Sequence, residues 1–311
     1  QELDELCEQI FTNYNIREYV LTFVASCLSG KISYEKLHIF TGTGSNGKSV
    51  FGDLIKTVFG EYWDKVETTL LTNKRRDANA ASPAIAKLQG KRLITMDEPE
   101  ANDEIKVGFM KELTGGDAIT ARHLNKDPIT FEPQFKAVLI CNDLPNVNST
   151  DEGTWRRITV IPFNSKFCRN PRKNDPNQFK ADPKVKHMVK SKEYAEIFML
   201  MLLHYYRKFK ENGLVEPEEV KVRTSDYKKE SNIYSQFVED ILVKDDGAHI
   251  KSGDAYKAFR TWYTDQNSDR CPGKREFNAG MIRCIGKMAK GTKWRGYALR
   301  TDDDDDEYGE D

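Results

Sequence analysis

The run Gly42-Thr43-Gly44-Ser45-Asn46-Gly47-Lys48-Ser49 constrains this chain more than any other stretch. It satisfies the phosphate-loop pattern G-x-x-x-x-G-K-S in full. Its flanks agree. Residues 37–41 form a short apolar run of strand length, and residues 50–59 space their apolar side chains as a helix does. Strand, glycine-rich turn and helix in that order predict an α/β core with a parallel sheet. Gly42, Gly44 and Gly47 let successive backbone N–H groups point at one anion. The helix that starts near Lys48 adds the positive end of its dipole. Lys48 is placed to reach β- and γ-phosphates and Ser49 to hold Mg²⁺. Thr43, Ser45, Asn46 and Val50 complete the phosphate-facing backbone.

Three more apolar runs follow, two that end in chemistry and one that is preceded by it. Residues 92–96 lead into the adjacent carboxylates Asp97 and Glu98. An apolar run ending in two acids is common by itself. Roughly fifty residues after a phosphate loop it takes on a specific meaning: the first acid contacts Mg²⁺, and the second polarises the attacking water. Asp97 is therefore read as the metal residue and Glu98 as the general base. Residues 136–141 form a third buried run, ending in Asn142, whose amide suits both a γ-phosphate and a water. Trp155-Arg156-Arg157 precede a fourth run over 158–163. Arginine stabilises charge on a transferring phosphoryl group, often from a neighbouring subunit.

Between the second and third runs, residues 104–113 read as a helix and lead to Thr114-Gly115-Gly116-Asp117. Residues 118–131 alternate on either side of a polar centre and predict a β-hairpin. Its tip carries Arg122, His123 and Lys126, which suits a nucleic-acid backbone. A solvated turn would carry the same residues, and His123 has no partner at metal-ligand spacing.

The outer parts are less specific. Residues 1–30 carry apolar positions of two helices. The chain begins without Met and reads as a piece of a longer protein. Residues 65–79 read as a surface loop containing the basic run Lys74-Arg75-Arg76, and residues 164–192 as an exposed loop. A long helix is expected over 193–211, ended by Gly213, then a helical region from Pro217 towards Val243. Two further helices are expected at 252–265 and 273–287, and a basic aromatic hairpin at 291–299. The basic face there would comprise Lys274, Arg275, Lys287, Lys290, Lys293 and Arg295.

Composition excludes some classes. With 38% hydrophobic residues the 311-residue chain reads as globular rather than disordered, long enough for two domains. No run has the length of a membrane span and the start does not resemble a signal peptide, so neither a membrane partner nor secretion is expected. Six scattered cysteines without a C-x-x-C pair read as reduced thiols of an intracellular protein, not as a zinc site. Residues 302–311 hold eight acids and no base, and setting them aside turns the net charge of −1 into +7. That tail reads as disordered, and the basic body suits a polyanion.

The order of these motifs resembles that of the superfamily 3 helicases of DNA viruses, with the nearest likeness to the helicase part of poxvirus-type, phage and plasmid primase-helicases. The specific likeness spans about residues 37–163. It implies an AAA+ core with a parallel sheet and an inserted β-hairpin, assembled as a ring, usually a hexamer, with ATP and Mg²⁺ between subunits. It implies Lys48 and Ser49 as the phosphate-loop pair, Asp97 and Glu98 as the acidic pair and Asn142 as the sensor. Lys126, and His123 beside it, match the pore hairpin that grips single-stranded DNA. Arg156 or Arg157 would act in trans, with Arg157 favoured by its distance from Phe163. The expected division is a collar-like helical segment at 1–30, the core at 31–212, a winged-helix-like domain at 213–301 and the tail at 302–311. The expected partners are single-stranded and forked DNA, further copies of the chain and a primase domain outside it. The resemblance implies ATP-dependent DNA unwinding inside a host cell. The alternatives are a DNA-stimulated ring ATPase or an initiation module that does not unwind.

Overall fold

A computed structural model describes residues 1–73, 82–99, 103–149, 151–266, 271–289 and 292–300. Lys74-Arg75-Arg76, Lys290 and the acidic tail lie outside the described residues. Two compact units divide after Tyr227.

In the first unit, α1 (Glu2–Ile10) and α2 (Tyr14–Ser26) precede β1 (Leu37–Thr41). Asn13 caps α2 by accepting from the N–H groups of Asn15 and Ile16. Then come α3 (Lys48–Phe59), β2 (Trp63–Val66), α4 (Thr69–Thr72), α5 (Pro83–Ala86) and β3 (Leu93–Asp97). Next are α6 (Val107–Gly115), β4 (Ile119–Arg122), β5 (Pro128–Phe131) and β6 (Lys136–Ile140). They are followed by α7 (Glu152–Trp155), β7 (Ile158–Pro162), β8 (Lys166–Cys168), β9 (Gln178–Lys180) and α8 (Val185–Met188). The unit closes with α9 (Lys192–Asn212), capped by Ser191, and most of α10 (Glu218–Glu230).

Five strands form one parallel sheet in the order β2-β3-β6-β1-β7. Both faces are covered, so strand residues alternate between two cores rather than between core and water. Phe40, Leu93, Val138 and Ile161 pack on one side with α1, α2, α3 and α9. Leu37, Ile39, Ile94, Met96, Ala137, Leu139 and Val160 pack on the other with α5 and α6. This period of two explains why the four apolar runs look continuous in the sequence.

Several expectations change. The segment 1–30 shares its core with α3 and α9, because Leu3, Ile10, Val20 and Phe23 need an apolar cover. Lys65 and Val66 lie in β2, and Leu71 is fully buried in α4, so the start of the expected surface loop is part of the fold. The helix expected at 104–113 runs from Val107 to Gly115. Residues 164–192 are not an exposed loop throughout: β8 and β9 pair in parallel and Val189 is buried. The expected boundary at 212/213 falls inside the first unit, where Val220 and Tyr227 of α10 join its two cores.

The second unit holds α11 (Ile233–Ile241), β10 (Leu242–Lys251), α12 (Ser252–Gln266), α13 (Lys274–Ile285) and β11 (Lys293–Leu299). Its core is aromatic, with Phe237, Phe259, Phe277 and Trp294. The hairpin expected within 291–299 is instead the single strand β11. It pairs antiparallel with β10, some forty residues earlier, because Trp294 must reach that core. No helix among the described residues is long and apolar enough to cross a membrane.

Candidate active site

The site is built on one edge of the parallel sheet. Strands β1, β3 and β6 all point the same way, so Gly42, Glu98 and Cys141 follow them at a common edge. Backbone bonds extend the ladder past the strands: Cys141 N–H donates to Phe40 O at 3.0 Å and Glu98 N–H to Ile140 O at 2.8 Å. Because β6 lies between β1 and β3, Asn142 falls between the loop and the acids.

The loop needs its glycines at two points. Gly42 has φ +146°, and a Cβ there would lie 2.5 Å from Phe163 O and 2.6 Å from Asn46 Nδ2. Gly47 has φ +88°, and a Cβ would meet Ile10 at 2.8 Å. Asn46 is buried and ties the loop to β7 by donating from Nδ2 to Phe163 O at 3.3 Å. Phe167 N–H donates to Ser45 O at 2.7 Å. Thr43, Gly44, Ser45 and Ser49 are exposed, and space around Gly44 is open.

Lys48 is 6% exposed, and its Nζ donates to Gly42 O and, at 3.1 Å, to Asn142 Oδ1. Burial lowers its pKa, while nearby Cys141 and Glu98 act the other way. Burial pushes the Cys141 thiol up to about 11, so no thiolate competes for that lysine near neutral pH. Thr41 donates to Asn142 O at 3.0 Å and holds the strand end that presents the amide.

On β3, Asp97 Oδ2 pairs with Lys65 Nζ at 2.7 Å, and Thr68 donates to the Asp97 carbonyl at 2.6 Å. Asp97 Oδ1 is buried without a hydrogen-bond partner among the described residues. Glu98 is exposed and sits at φ +48°, uncommon for a residue with a side chain. Such backbone strain collects at functional sites.

Not every predicted residue joins this edge. Arg156 and Arg157 precede β7 at the opposite edge, where Leu37 N–H donates to Arg157 O at 2.6 Å. A five-residue strand separates the edges by about 16 Å, too far for either arginine to reach the loop of its own chain. Both pair with Glu35, Arg156 at 3.2 Å and Arg157 at 2.5 Å. Arg157 also donates to Gly153 O at 2.9 Å and is 13% exposed, whereas Arg156 is 66% exposed. Arg122, His123 and Lys126 belong to the β4–β5 hairpin, a separate two-stranded sheet. Its inner side, Ile119 and Ala121, is buried, and its tip exposes Leu124, Asn125 and Lys126. Sequence reasoning missed Lys65, Glu35 and Thr68, since a lone polar residue carries no signal until strand pairing brings it to a partner. Among the described residues no cluster of three metal-ligating side chains occurs.

The donor set fits a magnesium nucleotide. A buried unpartnered carboxylate oxygen, a lysine resting on weak neutral acceptors and an open glycine loop are what hard cations and phosphates require. Fold and site together define an α/β protein with a phosphate-loop-like strand–turn–helix at the edge of a five-stranded parallel sheet.

Comparison with known proteins places that class more closely. Residues 40–157 match a family described as "Family of unknown function (DUF5906)". The chain is 39% identical over 307 residues to "Putative helicase L207/L206" of Acanthamoeba polyphaga mimivirus, covering 91% of this chain and 32% of that protein. It is 31% identical to "Putative helicase 022R" of Frog virus 3, covering 93% of this chain and 31% of the relative. "Putative primase C962R" of African swine fever virus is 23% identical over 82% of the chain and 28% of its own length. The chain spans about a third of the length of these relatives. In fold it is similar to the C-terminal region of NrS-1, with TM-score 0.51 and 14% identity over 91% of this chain and 61% of that one. Over about a third of their length, the chain is thus similar to helicase- and primase-named proteins of large DNA viruses, which the order of its motifs also resembles.

Proposed function

We propose that this chain is the motor part of an ATP-dependent DNA helicase of superfamily 3, acting in viral genome replication as a ring of like subunits. The observation that carries the reading is the convergence of Lys48, Asn142, Asp97 and Glu98 at one sheet edge, with Arg156 and Arg157 at the other. Among the described residues, Arg156 and Arg157 stand at the edge away from the loop of their own chain, so a second copy that brings its far edge to the loop would complete the site. Arg156 is the better donor because Arg157 is held on two sides, which leaves Arg157 to orient it. The sheet order, with β6 between β1 and β3, supports the AAA+ assignment.

In this reading Lys48 exchanges Gly42 O and Asn142 Oδ1 for phosphate oxygens. Gly42 to Val50 present backbone N–H groups to the same anion. Ser49 and Asp97 would hold Mg²⁺, which neutralises charge on the phosphates. Glu98 accepts a proton from the attacking water, and Asn142 orients that water. The tip at Arg122, His123 and Lys126 contacts single-stranded DNA. The exposed bases Lys274, Arg275, Lys287 and Arg295 of the second unit give a further DNA-facing surface, in keeping with a winged-helix-like role.

The test is ATP hydrolysis with and without single-stranded DNA, and unwinding of a forked duplex. Lys48→Ala is expected to lower hydrolysis by about a hundredfold or more. Lys126→Ala is expected to keep basal hydrolysis and lose the stimulation by DNA. DNA-stimulated hydrolysis that survives Lys48→Ala would sink the proposal. Stimulated hydrolysis without strand separation would instead mark a ring ATPase that does not unwind.

A further inference from the structure

We propose that Lys65 stands in for the metal ion at Asp97, so that binding of a divalent cation requires the lysine to let go. The inference rests on the nucleotide reading of the site above. The geometry arises from strand register. β2 and β3 pair in parallel with Lys65 opposite Thr95, and Asp97 is two residues further along the same face. That makes Lys65 and Asp97 diagonal neighbours, within reach of a long side chain. The lysine uses this reach, with Nζ 2.7 Å from Asp97 Oδ2.

Asp97 is held at two points and left open at a third. Thr68 fixes its backbone carbonyl, Lys65 neutralises Oδ2, and Oδ1 is buried with no hydrogen-bond partner. Among the described residues one oxygen of the group is thus unsatisfied, and the other is occupied by the ammonium of Lys65. Lys65 is 57% exposed, so its ammonium can leave to water without rearranging the core. Asp97 therefore never faces the site as an uncompensated charge, and a cation arriving with the nucleotide must outcompete the lysine. Lys65 is a positioning residue in this scheme: it keeps Asp97 in its rotamer before loading and opposes the metal during loading.

The size of the effect is bounded. An exposed ion pair contributes at most about 1 kcal/mol, which corresponds to about fivefold in an equilibrium constant. The experiment measures the affinity of a fluorescent, non-hydrolysable ATP analogue with and without saturating Mg²⁺. The ratio of the two affinities reports how strongly metal and nucleotide support each other. In Lys65→Met the ratio is expected to rise about two- to fivefold. Lys65→Arg, which keeps the charge, should stay near wild type.

Lys87 supplies the control for long-range charge. It bonds Asp64 and the Lys65 carbonyl on the same strand but does not touch Asp97. Lys87→Ala should leave the ratio unchanged. A ratio in Lys65→Met that is unchanged or lower overturns the proposal. So does an equal rise in Lys87→Ala, which would assign the effect to the general field. Asp97→Asn should remove the metal dependence. If wild type itself shows none, the nucleotide reading of the site fails and takes this inference with it. If wild type shows it and Lys65→Met does not alter it, only the role of Lys65 fails.

Discussion

Two lysines lie buried at opposite edges of one sheet, and they do different work. Lys136 begins β6, and Lys48 bonds the residue just beyond that strand's far end. Lys136 is 9% exposed and Lys48 6%, and burial lowers the pKa of both. Their partners separate them. Lys136 donates to Ser26 O at 2.9 Å and Ser29 O at 2.7 Å, closing the C-terminal end of α2, where carbonyls lack helical partners. Ser26 O also accepts from Ser29 N–H at 3.2 Å, so the lysine is the second donor on one carbonyl and ties both to the start of β6. Lys48 rests on a glycine carbonyl and a side-chain amide beside an open loop, and an anionic phosphate outcompetes neutral acceptors. The same residue type under the same burial is a structural cap at one edge and, in the proposed reading, a phosphate ligand at the other. The carboxylates follow the same division. Glu35 at the first edge is engaged by two arginines, whereas Asp97 at the second keeps one oxygen unpartnered among the described residues.

The largest effect that would sharpen this contrast lies in Glu98→Gln. Loss of a general base at the loop edge should reduce hydrolysis by about 10²- to 10⁴-fold while nucleotide binding persists, measured by steady-state hydrolysis and fluorescence titration. If binding falls with hydrolysis, Glu98 is part of the fold rather than the chemistry. At the other edge Lys136→Met should leave nucleotide affinity unchanged and lower stability by about 1–2 kcal/mol, because the carbonyls of buried Ser26 and half-buried Ser29 lose the lysine's two bonds while Ser26 O keeps the Ser29 N–H. Urea denaturation checks it, and an unchanged midpoint would remove the distinction drawn between the two lysines.

The smallest effect is a pH dependence set on β1. His38 is fully buried, stacks on Phe23 with ring centroids 3.6 Å apart and shares a hydrogen bond with Tyr19 at 3.0 Å. Burial, and then the charge of Lys36, hold its pKa well below the ordinary value. The folded chain therefore keeps the imidazole neutral while the unfolded chain protonates it below about 6.5. Its contribution to stability is present above that pH and falls as the pH drops, by at most about 1.4 kcal/mol per unit. Urea midpoints at pH 8, 6.5 and 5.5 should show this slope in wild type and a shallower one in His38→Gln. Equal slopes would place the acid sensitivity elsewhere.

Much of the candidate site is legible in the sequence. The glycine loop, the acid pair and Asn142 announce themselves because each sits at the end of an apolar run, and a parallel strand buried on both faces must be such a run. The β4–β5 hairpin was legible because its alternation is local. β11 was not. Residues 293–299 have the composition of a hairpin, but Trp294 has to fill a core made by α11, α12 and α13, so the partner strand lies far back in the chain. Residues 164–192 looked like open loop because β8 and β9 are three residues each and stabilised by pairing with each other rather than by an apolar pattern.

By itself, then, the sequence determined the strand–loop–helix, the residue types presented at three strand ends and the resemblance that their order carries, because those depend on local backbone freedom and on residue type. Tertiary structure alone decided the rest. It set β6 between β1 and β3, sent Arg156 and Arg157 to the far edge, gave Glu35 to both arginines and brought Lys65 onto Asp97. Each of these depends on which strand lies beside which and in what register. Register is a property of the whole packed sheet, and no single stretch of the chain encodes it.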